Sequence, residues 1–281
     1  MTRRRFDWLP HLILLLGVGI VAFPIYVTLV ASTLPVSDIV HGPMPLTPGT
    51  EAAQSYRDAL FMGSTNLRSG AVVTRMLLNS LVMAVVIAVG KIAISIISAY
   101  AVVFFRFPLR MVFFWMIFVT LMLPVEVRIM PTYKVVADLG MVDTYWGLTI
   151  PLIASATATL LFRQFFLTVP DELVEAAQID GAGPLRFFWD TVLPLSRTNI
   201  AALFVILFIY GWNQYLWPLL VTDSASMTTI VIGIKTLLGG ADAQTEWNIV
   251  MATTVLAMLP PIAVVLLMQR WFVKGLVESE K

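Results

Sequence analysis

The stretch 170-PDELVEAAQIDGAGPLRFFWDTVLP-194 decides how the rest of the chain is read. It is the longest interruption between apolar blocks that carries both acidic and basic residues and keeps a helical period, which predicts ordered structure outside lipid. Pro170 suits a first helical turn, where its missing N–H is no loss, and Asp171 and Glu172 put negative charge at the positive end of the helix dipole. Leu173, Val174, Ala176 and Ala177 supply one apolar side, while Glu172, Glu175 and Ile179 fall on another at i, i+3 and i+7. Gly181 can adopt the left-handed conformation that ends such a run, so the first helix is predicted to be short. A second short helix is predicted from Pro184, with Phe187, Phe188, Thr191 and Val192 as its aromatic underside, until Pro194 stops it. The expected product is a helix, a glycine turn and a second helix.

Outward from this stretch the chain reads as membrane. Of its 281 residues, 59% are hydrophobic and 12% charged, which excludes an ordinary soluble domain. Cysteine is absent, so disulfides and thiolate metal sites are excluded, and His11 and His41 cannot build a histidine cluster. A net charge of +1 argues against nucleic acid as a partner. The N-terminal MTRRRFDWLP runs into a long apolar block with no small-residue cleavage site after a short core, which predicts an uncleaved first span. At about 20 apolar residues per span, six segments qualify: 9–31, 76–105, 111–130, 145–166, 199–221 and 249–272. With the N-terminus in the cytoplasm, eleven of the eighteen basic residues fall on that side and six on the other, with Lys91 inside the second span. The positive-inside rule therefore places both termini and the 170–194 stretch in the cytoplasm.

Glu175-Ala176-Ala177, Asp180-Gly181-Ala182, then Phe187 or Phe188 and Leu193-Pro194 closely resemble the cytoplasmic EAA loop of permease subunits in bacterial ATP-driven importers. Further along the chain, NSLVMA at 79–84, TLMLPVEVRIMPT at 120–132, FIYGWNQYLWPLL at 208–220 and RWFVKGLVESEK at 270–281 resemble the carbohydrate-importer permease group. The resemblance implies an all-α polytopic membrane protein with six transmembrane helices, the type I permease fold of ABC importers. The first helix and its external loop, 1–75, would stand apart from a five-helix core, 76–281. By the same resemblance Glu175, Ala176, Ala177, Asp180, Gly181 and Ala182 make the contact that couples the permease to its ATPase.

The implied partners are a second, different permease subunit, a pair of ATPase subunits, an external solute-binding protein and the lipid bilayer of the bacterial cytoplasmic membrane. The implied cofactors, ATP and Mg, belong to the ATPase. No G-x-x-x-x-G-K-[ST] phosphate loop, H-E-x-x-H or G-x-S-x-G occurs, so the chain is expected to be a transport component and not an enzyme. An autonomous secondary transporter would need a coupling-ion site and usually an internal repeat, and neither is visible. The implied cargo is a small polar solute, foremost sn-glycerol 3-phosphate or a related glycerophosphodiester, with a sugar or polyol as the alternative. For an anionic cargo, Arg128 or Lys91 are the sensible attractors.

Five residues stand out as candidates for the pathway or its gate. Lys91 carries a charge at membrane depth, which fits either an anion path or a structural pairing within the bundle. Pro124 and Pro131 are expected to break the outer end of the third span, leaving Glu126 and Arg128 in irregular backbone beside protein or a wet cavity. Glu126 reads either as substrate contact or as a counter-ion of Arg128 or Lys91. Asn213 and Gln214 are placed inside an apolar helix ahead of Pro218, as hydrogen-bond glue between helices or as pathway lining. The small residues Ala154 to Thr159 are assigned to close helix packing, and Pro260-Pro261 to a kink in the last span. The segments 32–75 and 223–248 are expected as external loops, the second resembling the loop that reaches a binding protein. Within the first, 56–62 is either a short helix or a solvated linker.

Overall fold

Apolar runs of this length satisfy their backbone groups in lipid only as helices or closed barrels, and among the described residues all regular structure is helical. The computed structural model describes residues 8–62, 72–120, 123, 125–239 and 245–278, with the side chains of all of these except 125, 126 and 272–278. The main helices are α1 (Trp8–Ala31), α2 (Val73–Phe104), α3 (Arg110–Val119), α4 (Val125–Asp138) and α5 (Tyr145–Thr149). They continue with α6 (Ala156–Phe166), α7 (Asp171–Ile179), α8 (Pro184–Phe187), α9 (Arg197–Trp212), α10 (Leu216–Val221), α11 (Ile230–Leu237) and α12 (Trp247–Glu278).

The six apolar segments are not six straight rods. Three helices, α1, α2 and α12 up to Trp271, are long and apolar enough to cross a bilayer by themselves. Two more candidate spans are bent: Tyr145–Leu152 meets α6 at 47°, and Pro184–Leu195 meets α9 at 70°. The expected third span is the ten-residue α3, shorter than a crossing needs, followed after an interruption by α4. Pro131 lies inside α4 and does not break it, so Arg128 stands in regular helix and not in irregular backbone as expected. A proline removes one intrahelical bond, and here the Thr132 hydroxyl donates to the Arg128 carbonyl at 2.7 Å within the same turn. Pro124 lies outside the described residues. Pro260 and Pro261 likewise leave α12 continuous to Glu278.

The chain divides into two compact units, one built from the residues up to Met76 with Ile232–Leu259, the other from Leu77–Val231 with the residues from Pro260 on. In the first unit, the segment after α1 is more ordered than a solvated linker. Thr33 ties it back, its carbonyl accepting from Glu51 N–H at 3.0 Å and its hydroxyl from Gly49 N–H at 2.8 Å. The helix Ala52–Arg57 runs into a π turn at Asp58–Met62, which settles the 56–62 alternatives in favour of helix. Ala59 is fully buried among Leu237, Ile249, Val250 and Ala252, and Asn248 Nδ2 donates to the Ser55 hydroxyl at 3.3 Å.

In the second unit, a core of Met83, Ile87, Ile129, Val136, Leu148, Trp217, Val221 and Met227 joins α2, α4, α5 and α10. Small residues set the helix spacing. A Cβ on Gly211 would lie 2.9 Å from the Ala84 Cα, and one on Gly90 would lie 2.7 Å from the Ile153 side chain. The small run Ala154 to Thr159 falls on the bend between the 150–152 turn and α6. There Ser155 caps α6 by accepting from Ala158 N–H at 3.3 Å, and its carbonyl accepts from the Ser95 hydroxyl at 3.1 Å. The packing role expected for this run is thus realised at a bend, with Ala158 and Thr159 buried.

Candidate functional site

The helix-turn-helix forms for the local reasons its sequence carries. Pro170 is the extended N-cap of α7, Asp171 and Glu172 occupy the first turn, and Gly181 sits at a φ of +70°. The N–H of Ala182 reaches back to the Ala177 carbonyl at 2.9 Å, a Schellman closure that spends the last free carbonyls of the helix. Gly183 then caps α8, with Pro184 at its start. None of the residues of α7 is buried. Val174 and Ala177 are half-buried at i and i+3, while Leu173, Glu175, Ala176, Asp180 and Gly181 are exposed. Ile179, Leu185 and Trp189 are exposed apolar side chains on this polar knob, at 86%, 76% and 62%. The Arg186–Asp190 pair at 3.2 Å is solvent-exposed and contributes little to stability.

Pro194 does not stop the second helix as expected. Phe188–Val192 forms a π turn, Leu193–Leu195 continues it, and the bend comes at Ser196. The π turn shifts the hydrogen-bond register ahead of Pro194, so its missing N–H falls in a first turn where it is no loss. The underside is aromatic, as its spacing indicated, with Phe187, Phe188 and Val192 buried and Thr191 half-buried. These rings meet the end of α2: Phe188 lies 5.0 Å from Tyr100 and Phe187 lies 5.5 Å from Phe104 between centroids. Phe104 in turn lies 5.7 Å from Phe166, and the Tyr100 hydroxyl donates to the Pro184 carbonyl at 2.8 Å. The knob is therefore fastened to the ends of two helices by ring packing and one partly buried hydrogen bond.

The pathway candidates fall in different settings. Lys91 is buried, and its Nζ stands 3.9 Å from the centroid of the Tyr210 ring. Arg128 is exposed on α4. The side chain of Glu126 lies outside the described residues. Asn213 and Gln214 are not inside a helix as expected but in the interruption between α9 and α10. Pro218 explains the break: its ring would clash with the carbonyl four residues back, at Gln214, while the first turn of a new helix tolerates it. Asn213 is exposed, and Gln214 Nε2 donates to the Tyr210 carbonyl at 3.2 Å.

A polar clamp on the 222–230 segment went unnoticed in the sequence. Asn79 is fully buried, its Nδ2 donating to the carbonyls of Ser226 at 2.8 Å and Thr228 at 2.9 Å, while its Oδ1 accepts from the Tyr145 hydroxyl at 2.6 Å. The Ser80 hydroxyl accepts from Ile230 N–H at 2.8 Å, and Asp143 Oδ1 accepts from the N–H groups of Asp223 and Ser224. Adjacent Asn-Ser at the start of an apolar span was the available signal, because polar groups there need buried partners.

Residues 91–278 match the family described as "Binding-protein-dependent transport system inner membrane component". The chain is 66% identical over 271 residues to the sn-glycerol-3-phosphate transport system permease protein UgpE of Brucella melitensis, covering 96% of each chain. It is 60% identical over 280 residues to the protein of the same name from Pectobacterium atrosepticum, covering 100% of this chain and 99% of that one. In fold it is similar, with a TM-score of 0.81 and 20% identity over 97% of this chain and 99% of the other, to a chain from the crystal structure of a bacterial ABC transporter involved in the import of the acidic polysaccharide alginate. With an all-helical membrane architecture and a family match over most of its length, this chain belongs to the inner-membrane components of binding-protein-dependent transport systems, the permease subunits of ABC importers.

Proposed function

We propose that the chain is one permease subunit of an ATP-driven importer for sn-glycerol 3-phosphate or related glycerophosphodiesters. The observation that carries the cargo is identity of 59–66% over nearly the whole chain to several permeases named for sn-glycerol-3-phosphate transport. The chain pairs with a second, different permease, rests on two copies of an ATPase that bind ATP and Mg, and receives cargo from an external solute-binding protein. It spans the bacterial inner membrane several times, with both termini and the α7–α8 knob in the cytoplasm, following the distribution of basic residues.

Coupling is assigned to the exposed face of the knob. Glu175, Ala176, Asp180 and Gly181 are exposed, with Ala177 and Ala182 beside them, and they dock on the ATPase with Ile179 and Leu185 as apolar anchors. Closure of the ATPase dimer moves the knob. The Tyr100, Phe104, Phe166, Phe187 and Phe188 rings carry that displacement into α2 and α6, because packed rings slide as a body and do not deform. The ATPase states bias the pathway by their differential contact with the knob.

Reconstitution with partner permease, ATPase and cargo-loaded binding protein tests this reading. Uptake of labelled sn-glycerol 3-phosphate into vesicles is expected to require ATP on the knob side. Uptake by this chain alone without ATP would overturn it in favour of an autonomous transporter, and uptake confined to a sugar or polyol would replace the cargo.

A further inference from the structure

Lys91 is a buried cation whose contact among the described side chains is a ring face and not a carboxylate. It lies deep in α2, about 20 Å or more from either end at the helical rise, and is 7% exposed. The ion pairs Lys134–Asp138 and Arg186–Asp190 lie elsewhere, and among the described residues no salt bridge to the Lys91 ammonium is seen. What reaches it is the face of Tyr210, whose ring centroid lies 3.9 Å from the ammonium. A ring face offsets only part of the cost of an ammonium at membrane depth. The cost that remains favours an anion at this position.

The choice of partner matters. A carboxylate would neutralise the ammonium and repel an incoming phosphate, whereas a ring quadrupole fixes it and leaves its positive charge unspent. Tyr210 stands one turn before the interruption at 213–215, where Asn213 is exposed and irregular backbone is tolerated only against protein or a wet cavity. The ring that supports the α2 cation and the polar break therefore lie within one turn of each other at the end of α9.

We infer that Lys91, held on Tyr210, is the residue that selects for charge in the pathway, meeting the dianionic head of a phosphate monoester in passage. This rests on the cargo proposed above and assigns one side chain to it. The complete importer in vesicles is the system to use, comparing wild type, Lys91→Met and Lys91→Arg for turnover of sn-glycerol 3-phosphate and of a singly charged glycerophosphodiester.

Lys91→Met is expected to lower monoester turnover about tenfold or more and diester turnover much less, since a charge-assisted contact is worth more to a dianion. Lys91→Arg restores the ratio, and membrane content stays unchanged in both variants. Equal loss for both esters means a structural role and overturns the assignment, as does wild-type turnover in Lys91→Met. If the ratio change vanishes when anionic lipid is left out of the vesicles, the anion is a lipid headgroup and the assignment also fails. A wild-type importer that takes up neither ester removes the cargo reading first, which separates the two failures.

Discussion

Asn79 uses all of its amide: two N–H donors to two carbonyls and one oxygen accepting from a tyrosine, with no exposure to solvent. Replacing it with alanine strands three polar groups, at about 1–3 kcal/mol for each that water cannot reach. Asn79→Ala is therefore expected to lower the thermal midpoint of the purified complex clearly, and Tyr145→Phe to lower it less, by about 1 kcal/mol. Equal midpoints for Asn79→Ala and wild type in a melting experiment would show that the clamp on 222–230 is idle. Gly211 makes a second prediction at this scale. Its added Cβ would lie 2.9 Å from the Ala84 backbone, so even Gly211→Ala must push α9 off α2, at about 1–3 kcal/mol. Gly181→Ala has open space around it and meets only the strain of its positive φ, so it should cost about 1–2 kcal/mol at most.

The α7–α8 knob is the element whose prediction separates coupling from folding. No residue of α7 is buried, so Glu175→Lys leaves packing intact while reversing charge on the exposed face. Membrane content is expected to equal wild type, with uptake and cargo-stimulated ATP hydrolysis abolished. Uptake at half the wild-type rate or better in that variant would remove Glu175 from the docking surface. Phe187→Ala acts from the other side of the same element. It opens the ring cluster on Tyr100 and Phe104 and should cost about 3–5 kcal/mol, read as a lower midpoint together with lost uptake. The start, turn and underside of the knob were legible in the sequence because caps, the glycine conformation and side-chain period are local properties. Its end was not, since whether Pro194 stops a helix depends on the register that reaches it, here set by the π turn at Phe188–Val192.

For the whole molecule, the absence of cysteine makes topology directly measurable without background labelling. Single cysteines at Glu172 and at Asp223, treated in intact cells with a membrane-impermeant maleimide, are expected to label at 223 and not at 172. The reverse pattern would invert the chain in the membrane and take the coupling assignment with it. The choice of positions follows the basic residues, whose placement costs depend on sequence distance from the spans and not on packing.

Hydropathy, charge bias and the EAA pattern, all sums over neighbouring residues, determined by themselves that this is an all-helical membrane permease with a polar helix-turn-helix knob between its apolar spans. Only the tertiary structure decided that the second of the polar pairs sits in a helix break, that α3 is too short to cross alone, and that Lys91 rests on Tyr210. It also decided what Asn79 holds, with partners up to 149 residues away. Those outcomes depend on which distant side chain satisfies a buried polar group, and a desolvated donor or charge carries no mark in the sequence of the partner it will find.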